Sequence, residues 1–194
     1  ITRSDGKKFG KSEKGALFLN PELTSPYELY QFFINTTDED AVRYLKVFTF
    51  LSREEIENIA REHLLNPGQR IAQKKLAYEV TKDIHGLEAA EEALKMSDVL
   101  FSGEVKSLNE KEIEELLGSI KVKVDENISL VDLLIKVGAA TSKTQARTFI
   151  EQNSVLVNGE KVTDPTHTYS VNDAMYSKYL IIRRGKKNWY LATF

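Results

Sequence analysis

Ser142-Lys-Thr-Gln-Ala-Arg-Thr-Phe-Ile-Glu-Gln-Asn-Ser-Val-Leu-Val-Asn-Gly159 holds a helix start, a strand and a tight turn within eighteen residues. Ser142 followed by Gln145 is a capping box, so a helix begins there, with Ala146, Phe149 and Ile150 on one face at helical spacing. Lys143 and Arg147 share the opposite face. After Asn153 the pattern changes to the β-rich run Val155-Leu156-Val157, closed by Asn158-Gly159, a strong hairpin signal, with Lys161 just beyond it. A helix N-terminus offers unpaired N–H groups, two cations lie beside it and the turn exposes backbone, all of which suit phosphate oxygens. On these residues alone two readings stay open: RNA-backbone binding, or an ordinary helix-to-strand connection with a solvated basic face.

Working upstream, Leu130-Val131-Asp132-Leu133-Leu134 and Gly138 complete a two-helix pattern. Together with Ser142–Gly159 it resembles the S-four-type RNA-binding module, named after a small-subunit ribosomal protein. Lys143 stands where that family more often has Arg, and Asn153 where it more often has Gly. Both departures keep what matters, a positive charge and a residue tolerant of left-handed backbone.

The distribution of charge agrees with a local RNA-binding role. The 194 residues carry a net charge of −2, but residues 128–194 hold nine Lys and Arg against five Asp and Glu, while residues 1–127 hold 18 against 24. Without cysteine there can be no disulfide or thiolate metal site, which is compatible with a cytoplasmic protein. No apolar run approaches membrane-spanning length, so no membrane partner is expected.

The first fourteen residues are lysine-rich and punctuated by glycine, a loop rather than an element. Gly6-Lys-Lys-Phe-Gly10-Lys11-Ser12 has one residue too few between its glycines for a P-loop, and no apolar strand precedes it. A loop whose Lys8 and Lys11 close on a polyphosphate is one physical reading, a solvated terminus the other. Asp5-Gly6-Lys7-Lys8-Phe9-Gly10-Lys11-Ser12 resembles the second signature loop of class I aminoacyl-tRNA synthetases, KMSKS, in the KFGKS form of bacterial tyrosyl-tRNA synthetases. Gly15–Pro21 and Thr24–Asn35 continue the same resemblance, which runs to residue 194. It implies that Lys8, Lys11 and Ser12 hold the ATP pyrophosphate. The opening at Ile1, within a polar loop, is expected to be a cut through a longer enzyme whose nucleotide-binding domain lies upstream.

Capping patterns place the helices that follow. Ser25, Pro26 and Glu28 start one rich in aromatics (Tyr27, Tyr30, Phe32, Phe33), expected to be core rather than base-stacking surface. Thr37 with Asp40 starts the next, with Val42, Leu45, Phe48 and Thr49 on one face, and Ser52 with Glu55 a third that stops at Asn66-Pro67-Gly68. Ala72, Leu76, Val80, Ile84 and Leu87 form the stripe of a longer helix, whose Arg70, Lys74, Lys75 and Lys82 offer cations to a nucleic-acid backbone or simply to solvent. A short helix is predicted over Glu88–Lys95 and another from Asn109 to Gly118. His63, His85 and His167 have neither metal-ligand spacing nor an acidic partner that the sequence assigns to them, and are read as non-catalytic. In the family the loop after the aromatic helix approaches the first anticodon base, which singles out Asp38 as an acceptor for guanine; simple helix capping is its other reading.

Lys121–Val124 alternates like a strand, Lys161-Val162, Ala174–Tyr176 and Tyr179–Ile182 read as strands, and Trp189–Ala192 pairs back across a basic tip formed by Arg183, Arg184, Gly185, Lys186, Lys187 and Asn188. The predicted architecture is a mainly α-helical domain followed by a small α+β RNA-binding domain. Its divisions are a loop remnant at 1–19, the helical anticodon-binding domain at 20–118, a linker at 119–127 and the S-four-type domain at 128–194. The RNA-binding candidates are Asp38, Lys143, Arg147, Asn158, Lys161, Arg183, Arg184, Lys186 and Lys187. The resemblance implies a tRNA-Tyr partner, held by anticodon stem and long variable arm, and a parent tyrosine–tRNA ligase using ATP and Mg2+. It also implies that the parent dimerises through its upstream catalytic domain, so the chain alone is expected to be monomeric, inactive and without bound cofactor. The rival class is a self-standing RNA-binding regulatory module without enzymatic activity.

Overall fold

The computed structural model describes Ser4, Gly6 and residues 17–194, and the chain divides into two compact units, Ile1–Ser97 and Asp98–Phe194. Lys8, Lys11 and Ser12 lie outside the described residues.

The first unit is built from α1 (Pro26–Ile34), α2 (Asp38–Phe48), α3 (Arg53–Leu65), α4 (Ile71–His85) and the start of α5 (Leu87–Ser102). Reciprocal capping boxes at Ser25/Glu28 and Ser52/Glu55 open α1 and α3, and the Thr37 hydroxyl accepts from Asp40 N–H at the start of α2. Leu29, Tyr30 and Phe33 of α1 pack with Ala41, Tyr44 and Leu45 of α2 and with Ala72, Leu76 and Val80 of α4. The aromatic stripe is therefore core, with Tyr27 and Phe32 half-buried against it. Each fully buried large side chain contributes about 1.5–3 kcal/mol relative to exposure. Two expectations fail here. The α4 stripe ends at Val80, since Ile84 and Leu87 are exposed where Gly86, at φ 91°, turns the chain. And α5 runs on past Lys95 to Ser102, because Ala90, Ala93, Met96 and Val99 continue a buried three-residue spacing until Gly103 stops it.

The second unit adds α6 (Glu110–Leu117), β1 (Lys121–Lys123), β2 (Ile128–Ser129), α7 (Leu130–Lys136), α8 (Lys143–Glu151), β3 (Val155–Val157), β4 (Glu160–Lys161), β5 (Thr168–Tyr169), β6 (Tyr179–Arg184) and β7 (Asn188–Thr193). Five strands form one sheet in the order β1-β7-β6-β3-β4, and β2 pairs with β5 separately. Only the β1–β7 pairing in the larger sheet is parallel. Leu180 and Ile182 of β6 join Val155, Val157 and the buried faces of α7 and α8. Tyr179 and Ile181 alternate to the other face, where the Tyr179 hydroxyl donates to Glu114 Oε1 of α6 over 2.8 Å. Burial on both faces explains the unbroken apolar run of β6.

The contacts divide the chain earlier than the sequence reading did. Residues 119–127, expected as a linker, supply β1, whose Lys121 to Lys123 register with Leu191 to Thr193. The apolar side of α6 was legible, but not which core it belonged to; the Tyr179 hydroxyl ties α6 itself to the second unit through Glu114, and Tyr176 ties the segment just before it through the Leu108 carbonyl. Ala174–Tyr176 is no strand: Tyr176 and Ser177 have φ of 56° and 53°, a tight turn in which only Met175 bridges to Tyr179.

Candidate nucleic-acid interface

The stretch Ser142–Gly159 folds with its elements in the expected order. Ser142 Oγ accepts from Gln145 N–H, but the Gln145 side chain reaches back to Thr141, accepting from its N–H over 2.7 Å, so the reciprocal half of the box shifts by one residue. Lys143 and Arg147 project from the first turns of α8, both exposed. Lys143 Nζ lies 3.1 Å from Asp132 Oδ1. A hydrogen bond from Ser129, then Lys143, and the charges of Lys143 and Arg147 hold the Asp132 carboxyl below its ordinary range. Asn153 takes left-handed backbone at φ 53°, the conformation for which Gly or Asn is suited.

Asn158 and Gly159, at φ 49° and 81°, make the β3–β4 turn. The Asn158 side chain is occupied on both ends: Nδ2 donates to the Asp173 carbonyl over 3.0 Å and Oδ1 accepts from Ile181 N–H over 2.9 Å. Lys161, on the edge strand β4, lines a cleft of about 620 Å³ together with Lys106, Asp164, His167, Tyr169 and Tyr176. Burial pushes the Tyr169 phenol up to about 12.

The basic tract after β6 separates into two kinds of residue. Arg183 and Arg184 lie in the strand rather than at the tip, since Arg184 pairs with Asn188 and the loop is only Gly185-Lys186-Lys187. Arg183 donates to the carbonyls of Gly185 and Lys186 at 3.1 and 3.2 Å and sits over the Trp189 ring. Arg184 donates to the Ala139 carbonyl and lies over Phe149. Lys186 and Lys187 project from the tip, exposed.

In the first unit Asp38 opens α2. Its Oδ1 accepts from Gln73 Nε2 over 2.6 Å and lies 3.1 Å from His63 Nε2. Arg70, in left-handed backbone ahead of α4, donates to the carbonyls of Ile34 and Thr36, fastening the turn between α1 and α2. Ser4, near the start of the chain, donates from both N–H and hydroxyl to the buried Asp40 carboxylate in the same first turn of α2.

Two family descriptions account for almost the whole chain. Residues 1–102 match tRNA synthetases class I (W and Y), and residues 110–192 match the tyrosine–tRNA ligase SYY-like C-terminal domain. The chain belongs to the class I tRNA synthetases, in their tyrosine–tRNA ligase branch. It is similar to the tyrosine–tRNA ligase of Desulfitobacterium hafniense, 50% identical over 98% of this chain and 46% of that one. It is also similar to the tyrosine–tRNA ligase of Streptococcus pneumoniae, 46% identical over 100% of this chain and 47% of that one. A crystal structure of a C-terminally truncated Aspergillus nidulans mitochondrial tyrosyl-tRNA synthetase aligns at 44% identity and a TM-score of 0.44, over 44% of this chain and 25% of that one. The chain spans about half the length of the curated relatives it matches.

For a synthetase of this branch the observed fold, helical unit first and small α+β unit second, is the architecture expected from the sequence. Among the described residues no helix is long and apolar enough to cross a membrane, and no cluster of His, Cys, Asp or Glu is arranged to hold a metal ion. The geometry that sequence reasoning missed is the set of partners around Asp38. His63 was read as a lone histidine and Gln73 passed without mention, because their only signal is a contact across 25 and 35 positions of chain.

Proposed function

We propose that this chain is the tRNA-binding part of a tyrosine–tRNA ligase, docking tRNA-Tyr by its anticodon stem and long variable arm. The observation that carries this reading is the pattern of exposed cations in the second unit: Lys143 and Arg147 at the start of α8, Lys161 on β4, and Lys186 and Lys187 at the β6–β7 tip. Arg183, Arg184 and Asn158 support this surface from within the fold, each fastening a segment that presents those cations. The match over residues 1–102 speaks against a self-standing regulatory module, which has no use for synthetase sequence upstream.

In the whole enzyme the tyrosine carboxylate attacks the α-phosphorus of ATP, releasing pyrophosphate and forming tyrosyl-adenylate. A terminal adenosine hydroxyl of tRNA-Tyr then takes the tyrosyl group and AMP departs. Lys8, Lys11 and Ser12, with Mg2+, are proposed to hold the pyrophosphate, and Asp38 to accept from the first anticodon base. This polypeptide alone is proposed to hold no ATP, to lack pyrophosphate exchange and, with the family's dimer contact assigned to the catalytic domain, to be monomeric. The whole enzyme is proposed to be a cytoplasmic homodimer. Titrating the chain against tRNA-Tyr, tRNA-Tyr lacking its long arm and a short-armed tRNA, at two salt concentrations, tests the docking. Preference for the intact species that weakens with salt is expected; equal binding to all three reduces the surface to a generic RNA-binding patch.

A further inference from the structure

We propose that His63 and Gln73 are positioning residues that aim the Asp38 carboxylate at the N–H edge of a nucleobase, an inference that rests on the anticodon contact proposed for Asp38. The Asp38 side chain is 63% exposed, whereas Gln73 and His63 are 1% and 4% exposed. Both partners come from beneath, from α4 and α3, and both meet the same oxygen, Oδ1. Among the described residues no hydrogen bond reaches Oδ2, which leaves that oxygen to accept from a ligand.

The arrangement is a poor way to stabilise a helical core. Gln73 Oε1 and His63 Nδ1 are buried without a hydrogen-bond partner, and His63 Nε2 meets Asp38 at ion-pair distance without in-line hydrogen-bond geometry. Buried polar atoms left unsatisfied cost more than apolar side chains of similar volume in the same place. What the polar pair does supply is a fixed rotamer for an otherwise mobile surface carboxylate. Arg70, held by the same helix, clamps the backbone immediately before Asp38 through the Ile34 and Thr36 carbonyls, so both main chain and side chain of this turn are set in advance. A preoriented acceptor of this kind selects a base that offers N–H donors on its Watson–Crick edge. Guanine, with N1–H beside its N2 amine, offers two adjacent ones.

The test compares binding of the chain to anticodon-arm RNA hairpins carrying guanine or inosine, which lacks the N2 amine, at the first anticodon position. Wild type is expected to prefer guanine by about tenfold, the scale of one charge-assisted hydrogen bond. Gln73→Leu and His63→Leu should bring the preference close to parity with a melting temperature unchanged or raised, and His63→Gln, which keeps a donor, should restore it. A full preference retained in both leucine variants overturns the positioning role, as does a loss that His63→Gln does not restore. Asp38→Asn separates the two levels of the argument. If it keeps the guanine preference, the anticodon reading itself fails; if it abolishes the preference while the leucine variants do not, only the positioning inference fails. Should Gln73→Leu not fold, the three His63 and Asp38 variants decide the matter alone.

Discussion

Arg184 Nη1 donates to the Ala139 carbonyl over 2.6 Å while its guanidinium lies 5.0 Å over the Phe149 ring. A residue from the basic tract of the sequence thus clasps β6 to the α7–α8 turn and to the side of α8. The same turn leads into Ser142, so the clasp sets where the N-terminus of α8 stands. A charged hydrogen bond to a carbonyl and a cation–π contact are made here by one planar group, whose flat face meets the ring while its edge donates.

Arg184→Ala is therefore expected to destabilise the second unit by about 1.5–3 kcal/mol, and Arg184→Lys to recover little of it. Urea unfolding followed by fluorescence of Trp189, the chain's single tryptophan, reads this directly. An unchanged midpoint in Arg184→Ala would mean that the clasp carries no net energy, and would return Arg184 to the list of cations available to RNA.

Acid should weaken the first unit through Glu79. This residue is 6% exposed and lies between Lys75, 2.7 Å away, and Lys82, with which it also pairs. Burial pushes its carboxyl up, but the hydrogen bonds and charges of the two lysines outweigh it and hold the group below its ordinary value of 4.5. A carboxyl depressed by folding contributes stability that is fully present above the unfolded value and lost as pH falls through the folded one. Thermal melts from neutral pH downward should thus show a decline beginning below 4.5. Glu79→Gln should start less stable at neutral pH and decline less steeply; parallel curves for the two proteins would rule out this linkage.

What could be read from the sequence was what neighbours in the chain decide. The boxes at Ser25/Glu28 and Ser52/Glu55 formed as read, because cap and partner are three residues apart. Asn158-Gly159 made its turn because two positive φ angles are a local property of those residues. The basic tract misled because a run of cations looks alike whether it is solvated or inside the fold. Only the pairing of Arg184 with Asn188 places both arginines within β6 and leaves the lysines at the tip. Asp38 was singled out through family resemblance, yet the chemistry that orients it comes from α3 and α4, and no spacing rule connects a carboxylate to an amide 35 positions away.

The Lys143–Asp132 pair yields a prediction whose sign runs against ordinary intuition about removing an ion pair. Asp132 accepts from the Ser129 hydroxyl over 2.7 Å and lies 3.1 Å from Lys143, and the hydrogen bonds from Ser129 and Lys143 hold its carboxyl below the ordinary range. Its negative charge stands beside the two cations of α8 that are proposed to meet phosphate. RNA arriving there must displace Asp132 from Lys143 and tolerate a carboxylate close to its backbone. Asp132→Asn is isosteric and removes only that charge. It should tighten RNA binding at low salt by a few-fold and steepen the fall of log K with log salt by up to about one unit, as one more phosphate is neutralised. Lys143→Ala should do the reverse. Unchanged affinity and slope in both variants would show that phosphate does not reach the start of α8, leaving the contact to Lys161, Lys186 and Lys187.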